Sequence, residues 1–270
     1  MKGKKLLGAL VLLAASLAAN AGVQENPEQD EFFKDIKEFK TVKIGDYVAR
    51  IPILYYDVDS FIAIYSADAD KVSAALPSPR LKPIKIGPHR AGLVLGYNDT
   101  QASSIGAYRE FLIGIPCTCR HEGKTIFGIY IYKMPLTSDI ARVGGIEYWG
   151  FPKFMADIDA TENDRNISLK IKEGSREILD MELGKKGAMP WSTPGSLGVF
   201  TIKDGHIIYT KGIGKAKGKI RLGGHSKIKS GPHQMGVELA EFKLGKSPLA
   251  IIFLQDVKSS LPFGQDIGPR

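Results

Sequence analysis

Arg109-Glu-Phe-Leu-Ile-Gly-Ile115 and Thr125-Ile-Phe-Gly-Ile-Tyr-Ile-Tyr132 read as two β-strands. Both are short runs rich in Ile, Tyr and Phe, bounded by turn residues. The same signature recurs upstream at residues 48–56, 60–66 and 91–97. It recurs downstream at 167–171, 177–183, 198–203, 206–209 and 249–254. Asp204-Gly205 stands between two of these runs and suits a two-residue hairpin turn. Helical signals are sparse. Residues 67–75 predict a short helix ahead of Leu76-Pro77, and 137–147 predict another with Thr137 or Ser138 as its N-cap. Many short strands at even spacing predict a mainly β protein: a single-domain closed β-barrel with a few short peripheral helices.

The chain has 270 residues, 43% hydrophobic and 24% charged, which are ordinary globular proportions. They exclude a disordered polymer, a collagen and a polytopic membrane protein. The formal net charge of +8 invites a nucleic-acid or membrane partner. Part of that charge belongs to residues 1–21, which read as a secretory signal peptide. Lys2, Lys4 and Lys5 form its positive start, an uncharged apolar run follows, and Ala19-Asn20-Ala21 fits the cleavage rule. The apolar run is shorter than the roughly 20 residues that span a bilayer. Removing three lysines and no acid from +8 leaves +5. The expectation is an exported protein, periplasmic or secreted, with no membrane insertion of the mature chain. Residues 22–40 carry Phe32, Phe33, Ile36 and Phe39 at helical spacing and predict a helical arm over the domain. The barrel domain is expected over 41–270.

Much of the remaining basic charge lies in the glycine-rich segment 211–229. It fails the phosphate-loop pattern, because Gly214 stands one residue too close to Gly218-Lys219 and Ile220 replaces the Ser/Thr. It also has no aromatic side chains for base stacking. A strand pair with a solvated basic face is the expectation, and no nucleic-acid partner. Cys117 and Cys119 lie two apart. In a strand their Cα atoms would be about 6.6 Å apart, near the limit for a bridge. A strained disulfide and two packed thiols both fit. The five histidines are scattered without ligand spacing, so no metal site and no cofactor are expected.

The segment Gly145-Ile-Glu-Tyr-Trp-Gly-Phe-Pro-Lys-Phe-Met155 places one lysine, Lys153, among Trp149, Phe151, Pro152, Phe154 and Met155. An amine surrounded by apolar groups loses hydration, and this disfavours its charged form. A neutral amine can attack a ketone and form a Schiff base. A lysine snorkelling from a strand edge is the structural alternative.

Glu147-Tyr-Trp-Gly-Phe-Pro-Lys153 resembles the active-site segment of the acetoacetate decarboxylase family, E-x-x-[GA]-[FY]-P-K. Asp99-Thr100 with Gly106-Ala-Tyr-Arg-Glu110 is similar to the family's D-T…G-x-Y-x-E stretch. The resemblance implies a barrel, a Schiff base on Lys153, and Glu110 as an acid/base or polarising group. A dry pocket lined by Tyr108, Trp149 and Phe151 would hold the substrate, and Glu147 matches the motif either as a substrate-binding residue or as a structural one accepting hydrogen bonds at the lysine loop. It implies a lyase acting on a small keto acid or ketone, first of all the decarboxylation of a 3-oxo acid, in a homo-oligomer. The same lysine would serve an aldolase or dehydratase, and a non-catalytic barrel binding a small apolar or carbonyl ligand is the other reading. Three positions depart from the pattern. Phe154 stands where family decarboxylases carry a second lysine, Ile146 replaces an arginine, and no arginine lies near residues 58–60.

Overall fold

The computed structural model describes residues 31–195 and 197–270. The expected signal peptide and the start of the arm, residues 22–30, lie outside the described residues.

Strand alternation decides the layers. Among the described residues the first elements are β1 (Lys40–Ile44), β2 (Tyr47–Ile51) and the long β3 (Ile53–Asp68), then α1 (Ala69–Ala74). Two short strands, β4 (Lys82–Pro83) and β5 (Lys85–Gly87), precede β6 (Arg90–Ser103), β7 (Tyr108–His121) and β8 (Lys124–Leu136). Next come α2 (Asp139–Trp149) and β9 (Lys153–Met155). A second group follows: β10 (Asp157–Glu162), β11 (Asn166–Glu173) and β12 (Arg176–Gly184). The chain then runs through β13 (Met189–Gly195), β14 (Gly198–Lys203), β15 (His206–Lys211), β16 (Gly214–Leu222) and β17 (Ser226–Ser230). It ends with α3 (Gln234–Glu241), β18 (Ala250–Leu261) and β19 (Gln265–Pro269).

The main sheet runs β13-β16-β18-β3-β6-β7-β8-β14-β15-β19, with β4, β5 and β9 attached to β7, β6 and β8. A four-stranded sheet, β10-β11-β12-β17, and the hairpin β1-β2 are separate. Successive residues of a strand point to opposite faces. On β3, Val58, Ile62 and Ile64 join one core, whereas Phe61, Ala63, Tyr65 and Ala67 join another. The first core is capped by β1-β2 and α2, through Ile44, Ile51, Ala141 and Trp149. The second is covered by the four-stranded sheet together with α1 and α3.

The protein is therefore mainly β, with few short helices, as the sequence predicts. The closed barrel is corrected: among the described residues no sheet closes on itself, and β13 and β19 end the path unpaired with each other. Two physical reasons are visible. Both faces of the central strands are buried by other layers, so closure is not needed to bury them. The two end strands also carry Pro190, Pro194 and Pro269, which offer no N–H for a further ladder and suit sheet edges.

Both predicted helices form, as Ala69–Ala74 and Asp139–Trp149, the second capped by Ser138 rather than Thr137. The helix α3 has no counterpart in the sequence reading. Asp204 and Gly205 both take positive φ, 51° and 79°, as a tight turn between β14 and β15 requires. Residues 211–229 do not form a strand pair: β16 lies between β13 and β18, and β17 pairs with β12 in the other sheet. Their lysines are nonetheless exposed. At residues 31–35 the arm forms turns, not a helix, and Phe33 anchors it edge-on against Tyr56, ring centroids 5.6 Å apart. Cys117 and Cys119 are free, buried thiols on one face of β7, packed with Leu81, Phe200, Ile207 and Ile267.

Candidate active site

Three strands bring three polar side chains into one row. In the register of β3, β6 and β7, Ser60 faces Asn98 and Asn98 faces Glu110. Leu254 and Leu136 flank the row on the next strands. Ser60 Oγ donates to Asn98 Oδ1 at 2.7 Å, and Asn98 Nδ2 donates to Glu110 Oε1 at 3.0 Å. Tyr108, two residues from Glu110 and on the same face of β7, donates its hydroxyl to Glu110 Oε2 at 3.4 Å. Glu110 is fully buried.

Lys153 reaches this carboxylate from just beyond the C-terminal end of α2. The helix ends at Gly150, which takes φ 67° and returns its N–H to the last turn. A Cβ there would meet the Ile202 carbonyl oxygen at 2.3 Å, so the left-handed turn and the close approach both call for glycine. Phe151 N–H donates back to the Gly145 carbonyl at 3.0 Å. Lys153 then pairs in parallel with Met134 of β8. Its stem passes directly over Gly145. Nζ ends 3.3 Å from Glu110 Oε2, 5.7 Å from the Tyr108 ring centre and 5.5 Å from that of Phe151.

Burial pulls Lys153 below the ordinary lysine value, against the opposing pull of Glu110. Burial likewise lifts Glu110 above the usual carboxylate range, with Lys153, Asn98 and Tyr108 all acting to lower it. The Tyr108 phenol is driven well above 10, first by burial and then by Glu110 and Tyr55. Desolvation leads for both members of the pair, so both are pushed toward their neutral forms. A neutral amine beside a protonated acid is the arrangement that Schiff-base formation needs.

Of the residues singled out in the sequence, Lys153, Glu110, Tyr108, Trp149 and Phe151 converge; Trp149 is fixed by its indole N–H to the Pro262 carbonyl at 2.7 Å. Glu147 does not join them. It is exposed on the outer face of α2. Gly145 and Trp149, four apart, face inward, and a residue midway between them points about 200° away from each. Phe154 also turns away, stacking on His233 with ring centres 5.9 Å apart. Its replacement of a lysine therefore leaves the pocket untouched. The sequence reading missed Tyr55, Asn98 and Ser60. Asn98 carried a usable signal, as a polar residue ending the apolar run 91–97. Among the described residues no cluster of His, Cys, Asp or Glu suits a metal ion.

The cavity over Lys153 is about 10 Å³, room for one water at most. It is roofed by Ile44 of β1, seated against Gly144 of α2. Any carbonyl compound reaching Nζ needs a wall to move.

Replacing Asn98 by leucine removes a donor that holds the Glu110 charge. Glu110 then titrates higher, and the carboxylate that must stand beside the iminium loses a donor, so imine formation at Lys153 slows about tenfold. The check is the pH profile of Lys153 labelling by a ketone with borohydride: its Glu110 limb shifts toward higher pH. An unshifted profile would show that Asn98 serves packing alone.

A mainly β scaffold with a buried lysine–glutamate pair in an apolar pocket defines the class. The sequence profile described as Acetoacetate decarboxylase (ADC) matches residues 43–198, more than half of the chain, and the chain belongs to that family. Solved structures agree on the fold at low identity. An acetoacetate decarboxylase from Legionella pneumophila subsp. pneumophila str. Philadelphia 1 is 19% identical, with a TM-score of 0.64 over 92% of this chain and 99% of its own. The enduracididine biosynthesis enzyme MppR, complexed with the condensation product of pyruvate and imidazole 4-carboxaldehyde, is 12% identical, with a TM-score of 0.58 over 80% and 89%. An acetoacetate decarboxylase-like enzyme from Sphingomonas wittichii RW1 is 12% identical, with a TM-score of 0.51 over 81% and 94%. No curated relative matches the chain.

Proposed function

We propose that this protein is a lysine-imine lyase acting on a small carbonyl compound. The observation that carries the reading is the Lys153–Glu110 contact, 3.3 Å between two buried side chains beside an apolar pocket. Neutral Lys153 attacks the carbonyl carbon, and the carbonyl oxygen takes its proton from Glu110. Loss of water leaves a protonated imine beside the Glu110 carboxylate. The iminium is an electron sink for the bond next to it. In a 3-oxo acid that bond is to the carboxylate; carbon dioxide leaves, and the enamine takes back a proton before water releases the ketone. In a ketone it is a C–H bond, Glu110 takes the proton, and the enamine serves aldol or retro-aldol chemistry. Family membership supports the first route, and the condensation product bound to MppR is of the second kind. The charged and apolar pattern of residues 1–21 supports an exported enzyme, and family membership supports a homo-oligomer.

Borohydride trapping tests this. Hydride reduces the iminium to a stable secondary amine, so a candidate ketone adds its mass to one tryptic peptide, that carrying Lys153. Labelling spread over surface lysines, with none on Lys153, refutes the proposal and leaves a ligand-binding protein.

A further inference from the structure

Resting on the Schiff-base reading above, we infer that the substrate is an uncharged carbonyl compound with an apolar body, and not one that carries a carboxylate. The argument is charge balance at a buried ionisable pair with apolar surroundings. The pocket wall is Ile44, Ile53, Ile105, Ile140 and Leu261 with the rings of Trp149 and Phe151. Its polar atoms are the phenols of Tyr55 and Tyr108 and the Lys153–Glu110 pair. Among the described residues that line the pocket, Lys153 is the only cationic side chain. On β3, where the resemblance calls for an arginine, Ser60 instead donates to Asn98. The row behind Glu110 is therefore neutral from end to end.

An uncharged ketone keeps the site electrically neutral throughout. Neutral amine, protonated Glu110 and ketone become iminium cation, Glu110 carboxylate and water. Glu110 then removes the proton from the carbon next to the iminium, giving a neutral enamine and a neutral acid. The apolar walls favour this sequence, because no step leaves an unanswered charge. A keto acid adds one negative charge at every stage. The iminium can answer only one of two carboxylates, and Glu110 already stands against the nitrogen. The second is a buried ion without a partner, which proteins avoid.

The test compares two probes on the purified full chain. Pentan-2-one and acetoacetate are incubated at equal concentration and pH with borohydride, and Lys153 labelling is timed by peptide mass. Any adduct counts, including the one left after loss of carbon dioxide. The expected result is labelling by pentan-2-one faster by about a hundredfold. Equal or faster labelling by acetoacetate overturns the inference while leaving the lysine-imine reading intact. Labelling of Lys153 by neither probe overturns both. Ile140→Arg supplies a cation at a half-buried position of the pocket edge. In a variant whose melting curve shows it folded, the ratio should move toward acetoacetate by about tenfold or more. An unmoved ratio counts against charge as the cause.

Discussion

Lys153→Met leaves the protein folded and reduces imine formation by about 10⁴-fold or more. Methionine is unbranched like lysine and fills the space of its stem, so the walls keep their packing. What is lost is the only amine that reaches the cavity among the described residues. The variant also changes how stability depends on pH. Without the lysine, a buried carboxylate at Glu110 would be an unpaired charge, costing about 3–5 kcal/mol. Burial already lifts this carboxyl above its ordinary value of 4.5, and Lys153 is among the groups that lower it. Removing the lysine therefore lifts it further, and Glu110 enters the folded state protonated. A group whose folded pKa is raised contributes stability below its unfolded pKa and loses it as pH rises through the folded value. The melting temperature of Lys153→Met should thus fall, relative to wild type, as pH rises above the ordinary carboxylate value of 4.5. Adding Glu110→Gln should flatten that fall. A deficit that does not change with pH would mean that Glu110 is not titrating, and the electrostatic account of the pair would fail.

The two halves of the site were legible because each is written in one local run. Lys153 stands out as a lone cation among aromatics. Glu110 sits two residues after Tyr108 on an alternating strand, so their shared face follows from the period alone. The helix before the lysine was legible too, with Ser138 at its start. Three-dimensional neighbours from distant runs were not. Ser60 meets Asn98 only through the register of β3 on β6, and register across so long a connection leaves no local trace; Asn98 meets Glu110 across the shorter β6-β7 hairpin, again by register. Glu147 was misplaced for the opposite reason. It belongs to the same string of letters as Lys153, but a helix turns about 100° per residue, and adjacency in the string does not carry a side chain into the pocket. Barrel closure depended on whether the sheet's ends meet. The prolines at 190, 194 and 269 held that information, and an alternation pattern does not register them.

Gly145→Ala should lower imine formation about a hundredfold with little change in stability, which separates position from folding. The position is mid-helix and buried, where alanine is intrinsically favoured over glycine by up to about 1 kcal/mol. Its cost is local. A Cβ at 145 would lie 2.7 Å from Cδ of Lys153, 3.0 Å from Cε and 3.3 Å from Nζ. The middle of the stem must move, and the stem is enclosed by Phe151, Trp149 and Tyr108. The displaced nitrogen leaves the 3.3 Å contact with Glu110, and with it the proton needed by the departing oxygen. Misplacing a reacting group by about 1 Å is worth a loss of this size. The neighbouring Gly144→Ala is the control. There the first atom met is Ile44 Cδ1, at 2.7 Å, the far end of a side chain on the capping hairpin. That substitution presses on the roof and leaves the lysine where it is. It should therefore alter the rate at which pentan-2-one enters while leaving the pH profile of Lys153 labelling unchanged. Gly145→Ala should shift that profile. If the two alanines behave alike, the path of the Lys153 stem over Gly145 is not what sets the reactivity of the amine.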